Sequence, residues 1–348
     1  MTVADDFRAA AAARILIKDG PYGTAIQALG LKPGDYAGDI QSNFDQKGNN
    51  DLLNITRPDD IAGICRRYIA AGADLLATNT FNANRISQAD YGLEAKVREI
   101  NLAAAGIIRR CLDEAMAADG KPRWVAGSLG PTNKTLSLSP RVSDPGYREV
   151  TFDGVKDVYR EQIDALLDGG VDFILIETVF DTLNAKAAAF AAAEAADARG
   201  AEVPVMLSMT LTDLAGRNLS GQTVEAFWHS IAHVKPVAVG LNCSFGATEL
   251  RPHVQALAKI ADTAVMTYPN AGLPNDMGAY DELPETTAGL IRGWADEGLV
   301  NIVGGCCGNT PEHIAAMARA VAGLRPRTLP VLEPALRLSG LEAHRFAA

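Results

Sequence analysis

Eight short apolar runs, rich in Val, Ile and Leu, punctuate the chain at residues 15–18, 75–78, 124–126, 173–176, 205–209, 237–241, 264–267 and 301–303. Their length and near-continuous hydrophobicity predict strands buried on both faces. Between most of them lie longer stretches whose apolar positions recur at the spacing of one helix face, as in 59–71, 101–118, 155–167 and 183–196. Strands alternating with helices give a parallel sheet, and eight such units suggest a closed barrel. A doubly wound open sheet is the weaker alternative, because no strand is followed by a Gly-x-Gly-x-x-Gly helix start. The expected class is therefore α/β, a (β/α)8 TIM barrel of parallel strands.

The residues leaving each strand are mostly polar. They read Asp19-Gly20, Asn79-Thr80, Gly127-Ser128, Glu177-Thr178, Thr210, Asn242-Cys243, Tyr268-Pro269-Asn270 and Gly304-Gly305-Cys306-Cys307. In a barrel all of these open onto the C-terminal face, the end that carries activity. A single exit means little, since helix N-caps alone would produce several. The first connection, 31–55, is rich in Gly, Asp and Asn and is expected to cap part of the barrel. Residues 327–348 show no strong periodicity. They read as a linker-like or docked tail after one domain spanning 1–326.

The charge balance narrows the partners. A net charge of −10 and a pI near 5.1 argue against nucleic acid or an anionic membrane surface, both of which need clustered Lys and Arg. The acidic start and the short Ala run after it do not form a signal peptide, and no stretch approaches the ~20 apolar residues of a membrane span. A cytoplasmic protein is expected. Five cysteines are an odd number for a disulfide framework, so metal or catalytic use gains weight. Cys65 and Cys111 fall within helical patterns and read as small buried apolar residues.

Cys243 and the adjacent Cys306 and Cys307 differ, because each follows a strand end. Three thiolates on one zinc ion leave a fourth position open, as catalytic rather than structural sites do. No Cys-x-x-Cys knuckle is present, so incidental buried cysteines or a Cys306–Cys307 disulfide stay open as alternatives. A zinc held by three thiolates is a poor source of hydroxide but suits an incoming thiol. A free thiol of pKa ~8.5 is only roughly 3% ionised at pH 7, so ionising it fully gains at most about 30-fold. Lower basicity takes part of that back, with a Brønsted slope of ~0.4–0.5. Alignment of sulfur and electrophile must supply the rest, which suggests alkyl transfer to a small thiol.

Asp19-Gly20-Pro21-Tyr22-Gly23-Thr24 reads either as a loop cradling a carboxylate, with Asp19 taking an ammonium, or as a tight turn with a capping Thr. Glu177 ends a strongly apolar strand, where a carboxylate is costly unless paired. Asp19 and Glu177 together would bind an α-amine. His229 and His233 have the i, i+4 spacing of a helical metal pair but lack the Glu of a His-Glu-x-x-His site. His313, at a helix start, reads as a surface or supporting residue.

Several runs resemble one family. They are Asp19-Gly20-Pro21-Tyr22-Gly23-Thr24, Lys47-Gly48-Asn49-Asn50-Asp51-Leu52-Leu53, Thr78-Asn79-Thr80-Phe81-Asn82, Leu129-Gly130-Pro131-Thr132-Asn133, Glu177-Thr178-Val179-Phe180-Asp181-Thr182-Leu183-Asn184-Ala185-Lys186, Gly240-Leu241-Asn242-Cys243, Pro269-Asn270-Ala271-Gly272 and Gly304-Gly305-Cys306-Cys307-Gly308. Together they resemble the homocysteine-binding barrel of cobalamin-dependent methionine synthases, within the wider homocysteine S-methyltransferase family. The Lys47–Asp51 and Phe180–Lys186 runs point to the cobalamin branch.

The resemblance implies Zn2+ on Cys243, Cys306 and Cys307. It also implies homocysteine held by Asp19, Gly20 and Glu177, and Asn270 as a weak fourth contact to the metal. The methyl group would come from methylcobalamin, recharged from 5-methyltetrahydrofolate on a corrinoid- and folate-binding partner chain. A betaine or sulfonium donor, or a zinc- and homocysteine-binding subunit without chemistry of its own, are the other readings. Two departures stand out: Ala77 replaces an expected acidic residue, and Pro21-Tyr22 replaces a smaller pair. Arg337-Leu338-Ser339-Gly340-Leu341-Glu342 resembles the linker to a folate barrel, with six residues following it. The folate and cobalamin modules are therefore expected on a separate polypeptide, unless this is an excised piece.

Overall fold

The computed structural model describes residues 2–346. Its eight parallel strands are β1 (Leu16–Ile17), β2 (Leu75–Ala77), β3 (Trp124–Leu129), β4 (Phe173–Val179), β5 (Val205–Met209), β6 (Ala238–Asn242), β7 (Ala264–Tyr268) and β8 (Ile302–Val303). They pair in chain order from β2 through to β8, and β8 pairs with β1. A parallel bridge between Lys18 and Leu75 closes the ring, with Asp19 N–H donating to the Leu75 carbonyl at 2.9 Å. The expected barrel is what forms, and the open sheet is excluded.

Alternation along the strands separates two apolar layers. Leu16, Leu75, Trp124, Phe173, Leu175, Met206, Ala238, Met266 and Ile302 point inward and share one cluster. Ile17, Leu76, Val125, Ile174, Leu207, Val239, Val265 and Val303 point outward against the helices in another. The helices predicted at 59–71, 101–118, 155–167 and 183–196 are Pro58–Ala70, Val97–Asp119, Phe152–Asp168 and Thr182–Arg199.

Helix α1 (Val3–Ala13), which the sequence reading did not include, closes the N-terminal end of the barrel. Its Ala4, Phe7 and Ala11 recur at one-face spacing and are buried among the inward residues. The Phe7 ring meets Trp124 edge-on at 5.2 Å and lies 4.8 Å from Phe173. Thr2 and Asp5 form a reciprocal capping box, which satisfies donors that the first turn leaves open.

At the opposite end the first connection folds into a wall. Asn54 Nδ2 donates to the Asn79 carbonyl and Asn79 Nδ2 to the Asn50 carbonyl, both at 2.7 Å. Asp51 Oδ1 accepts the Asn82 N–H at 2.9 Å. After the barrel the Arg327 guanidinium is buried on the carbonyls of Ala258, Ala261 and Thr263. The tail then returns as an antiparallel hairpin of β9 (Arg337–Ser339) and β10 (Ala343–Arg345). Thr223 N–H donates to the Leu341 carbonyl and docks that hairpin beside helix Val224–Ile231. No described helix is long and apolar enough to cross a membrane.

Candidate metal centre and substrate cleft

The C-terminal ends of the strands surround a cleft of about 760 Å³. Its lining includes Lys18, Gly20, Ser128, Glu177, Thr178, Asn242, Cys243, Tyr268, Cys306 and Cys307. Cys243 leaves β6 and the Cys306–Cys307 pair leaves β8, with β7 between them. Strand order therefore brings together thiols that are 64 residues apart in the chain.

The Cys243 and Cys307 sulfurs are 3.8 Å apart, and all three lie within 4.8 Å of one another. Zinc–sulfur bonds of ~2.3 Å in a tetrahedron place sulfurs about 3.8 Å apart, so the donor set fits that ion. The charges agree. Hydrogen bonds from Cys243 and Cys306 bring the Cys307 thiol down to about 3. Cys306, half-buried and facing both other sulfurs, is pushed well above its ordinary value. Cys243 is lowered by Cys306 but raised more by Cys307 and by burial, ending at about 11. The three sulfurs thus strongly perturb one another's titration, and a bound cation would favour the thiolate form of all three. Among the described residues this trio is the group of His, Cys, Asp and Glu able to share one metal, and neither His229 nor His233 joins such a group.

The backbone here is strained where the side chains matter. Thr178, Cys243 and Ser244 have φ of 58°, 62° and 61°, a left-handed conformation costing about 1–3 kcal/mol at a non-glycine residue. Asn242 holds Thr178 there, accepting its N–H at 3.1 Å and donating to its hydroxyl at 2.9 Å. The β4–β5 register shifts between Ile176 and Val179, an irregularity of the kind that re-aims side chains beside active sites. At Gly308, φ is +80° and a Cβ would fall 2.3 Å from Tyr280, so the turn after the Cys pair needs glycine.

A family model for homocysteine S-methyltransferase matches residues 16–321. The chain belongs to the homocysteine S-methyltransferase family. Among solved structures, the metallated form of the homocysteine methyltransferase MmuM from Escherichia coli aligns over 88% of this chain and 96% of its own, at 24% identity and a TM-score of 0.69. The oxidised form of that protein aligns over 88% and 95%, at 22% identity and the same TM-score. The apo form gives 21% identity and 0.64 over 88% and 96%. These likenesses show a shared fold.

The structure places the expected residues of this homocysteine S-methyltransferase differently from one another. Glu177 reaches the cleft with 8% of its surface exposed. Its carboxylate accepts the Ser128 hydroxyl on one oxygen and the Tyr268 hydroxyl, at 2.9 Å, on the other. Gly20 also lines the cleft, and a Cβ there would sit 2.7 Å from the Tyr68 ring. Asp19 is fully buried and does not line it. One of its oxygens takes Lys18 Nζ at 2.8 Å and the other the Ala77 N–H at 2.9 Å. Asn270 N–H donates to the Phe245 carbonyl, and the next N–H, of Ala271, to that of Cys307. Asn270 thereby links the two cysteine loops, and its buried Oδ1 has no hydrogen-bond partner among the described residues.

Sequence reasoning took Lys18 only as a strand residue, and named Ser128, Thr178, Asn242 and Tyr268 among the strand exits without giving them individual roles. The available signal was period-two alternation, which turns Lys18 inward after Leu16 and places Tyr268 inward after Met266. His313 bridges the Thr310 N–H at 3.2 Å and the Glu282 carbonyl at 2.9 Å, a supporting role.

Proposed function

We propose that this enzyme methylates the sulfur of homocysteine, forming methionine, with methylcobalamin on a separate corrinoid- and folate-binding polypeptide as the methyl source. The observation that carries the reading is the convergence of Cys243, Cys306 and Cys307 on one wall of the cleft. Cys243, Cys306 and Cys307 would hold a zinc ion, which would supply the Lewis acidity that favours the ionised form of a substrate thiol at neutral pH. Glu177, fixed by two hydroxyl donors, presents its remaining lone pairs to the substrate ammonium. Gly20 allows close backbone approach at the first strand exit, Asp19 supports that wall from beneath, and Asn270 offers a buried oxygen beside the cysteine loops. The substrate sulfur would attack the methyl carbon in line, the carbon–sulfur bond forming as the cobalt–carbon bond breaks and its electron pair leaves with the partner's corrinoid, and orientation supplies most of the acceleration. The runs at Lys47–Asp51 and Phe180–Lys186 support the cobalamin donor.

A second reading has a specific observation behind it. Tyr22, Phe81 and Tyr280 line the cleft, and aromatic faces attract sulfonium and quaternary ammonium donors. Isolated protein supplied with homocysteine and free methylcobalamin should form methionine. Turnover with betaine or S-methylmethionine and none with the corrinoid would replace the first reading by the second. Metal analysis tests the centre itself: one zinc per chain in the parent and none in Cys243→Ala. Unchanged zinc in that variant would remove the scheme.

A further inference from the structure

Lys18 lines the cleft and takes no part in the scheme above. It is only 4% exposed. Its Nζ donates to Asp19 Oδ1 at 2.8 Å and sits 4.5 Å above the Tyr268 ring, the ring whose hydroxyl fixes Glu177. Burial disfavours its charge, but the carboxylates of Asp19 and Glu177 outweigh that and hold its pKa above the ordinary value. An ammonium carries three N–H donors, and Asp19 takes one of them. Lys18 N–H pairs with the Val303 carbonyl at 2.7 Å, so the cation stands on the strand next to the one that leads into Cys306.

The charges along the cleft floor are therefore asymmetric. Asp19 has both oxygens engaged and lies beneath the wall. Glu177 keeps acceptor capacity facing the cleft, and Lys18 keeps donor capacity facing it. A fixed cation beside a fixed carboxylate complements the two ends of a zwitterionic α-amino acid. An ammonium held between Asp19 and Glu177 would instead have to displace Lys18 from its buried partner.

Resting on the homocysteine reading, we propose that Lys18 is a specificity-determining residue of this cleft. It binds the α-carboxylate of the thiol substrate while Glu177 takes the ammonium, and Asp19 acts by holding Lys18 in place.

The test is binding of three thiols to the zinc-loaded protein by calorimetry: homocysteine, 3-aminopropanethiol, which lacks the carboxylate, and 4-mercaptobutyrate, which lacks the ammonium. The parent should bind 3-aminopropanethiol roughly 10- to 100-fold more weakly than homocysteine, the range of a charged hydrogen bond. Lys18→Met should weaken homocysteine and 4-mercaptobutyrate by that factor and leave 3-aminopropanethiol within about 2-fold, with zinc content unchanged. Lys18→Arg should keep most of the discrimination. Should Lys18→Met fail to fold, Lys18→Gln retains a donor for Asp19 without the charge, and the same ratio is read. Equal weakening of homocysteine and 3-aminopropanethiol, or a parent that does not distinguish them, overturns the assignment and leaves the homocysteine reading standing. A parent that binds none of the three overturns both.

Discussion

The two ends of this barrel are built on opposite principles. The N-terminal end is sealed by α1, whose Phe7 packs between Trp124 and Phe173 in an apolar plug with regular backbone. At the C-terminal end, Lys18, Ser128, Glu177, Ser208 and Asn242 are buried polar groups, and three non-glycine residues have positive φ. Each departure there carries a cost, in desolvation or in backbone strain. Lys18, Ser128, Glu177, Thr178, Asn242 and Cys243 line the cleft, and Ser208 donates to Asn242 Oδ1 at 2.6 Å. The plug stabilises the frame against which that strain is held, so damage to one end should show in stability and damage to the other in binding.

The sharpest break of this contrast is Cys306→Ala. Methyl transfer should fall to background and metal analysis should find no zinc, while the circular dichroism spectrum stays that of the parent. Next is Phe7→Ala, expected to cost about 3–5 kcal/mol in urea unfolding through loss of a buried ring. Homocysteine affinity per folded molecule should not change. A large loss of affinity would show that the two ends are not separable.

Asp51 gives an intermediate effect with a definite sign. Burial raises its carboxyl to about 7, so the folded protein holds a proton that the unfolded chain releases near pH 4. The stability this group contributes is complete below about pH 4 and is lost as pH rises towards 7, with a slope of up to about 1.4 kcal/mol per pH unit. Asp51→Asn should flatten that slope in unfolding measured from pH 4.5 to 7.5. An unchanged slope would assign the dependence to other groups. The smallest effect is expected from Tyr268→Phe, which removes one of the two hydroxyls on Glu177. Homocysteine KM should rise about 3- to 10-fold with stability within about 1 kcal/mol of the parent.

Much of this was legible in advance, for physical reasons that differ by element. Every barrel strand was visible because strands covered on both faces must be apolar throughout. The ends of β3 and β4 were read short, since Gly127-Ser128 and Glu177-Thr178 look like exits yet continue the strands to Leu129 and Val179. There the interior turns from packed core to functional cleft, so polar residues remain in strand conformation. The α1 plug was overlooked because an Ala-rich helix shows little contrast between faces, and one Phe carries most of its packing. The cysteine trio was readable because cysteines after strand ends must meet at one face once a barrel is assumed. The amino-acid contacts were harder. That Asp19 is occupied by its neighbour Lys18 depends on side-chain directions around the first strand exit.

By itself the sequence determined the alternation of strand and helix, the inward and outward faces and the end at which chemistry collects, because these follow from local periodicity and chain order. Strand pairing around the ring decided the rest. Pairing of β6, β7 and β8 sets thiols 64 residues apart 3.8 Å from each other, and the β8–β1 pairing with the Lys18–Leu75 bridge then closes the ring. Only then does buried Lys18, paired with the adjoining Asp19, come near the Glu177 carboxylate of β4. Such proximities are set by the global geometry of the barrel, which adds side chains from other strands to each residue's neighbours along the chain.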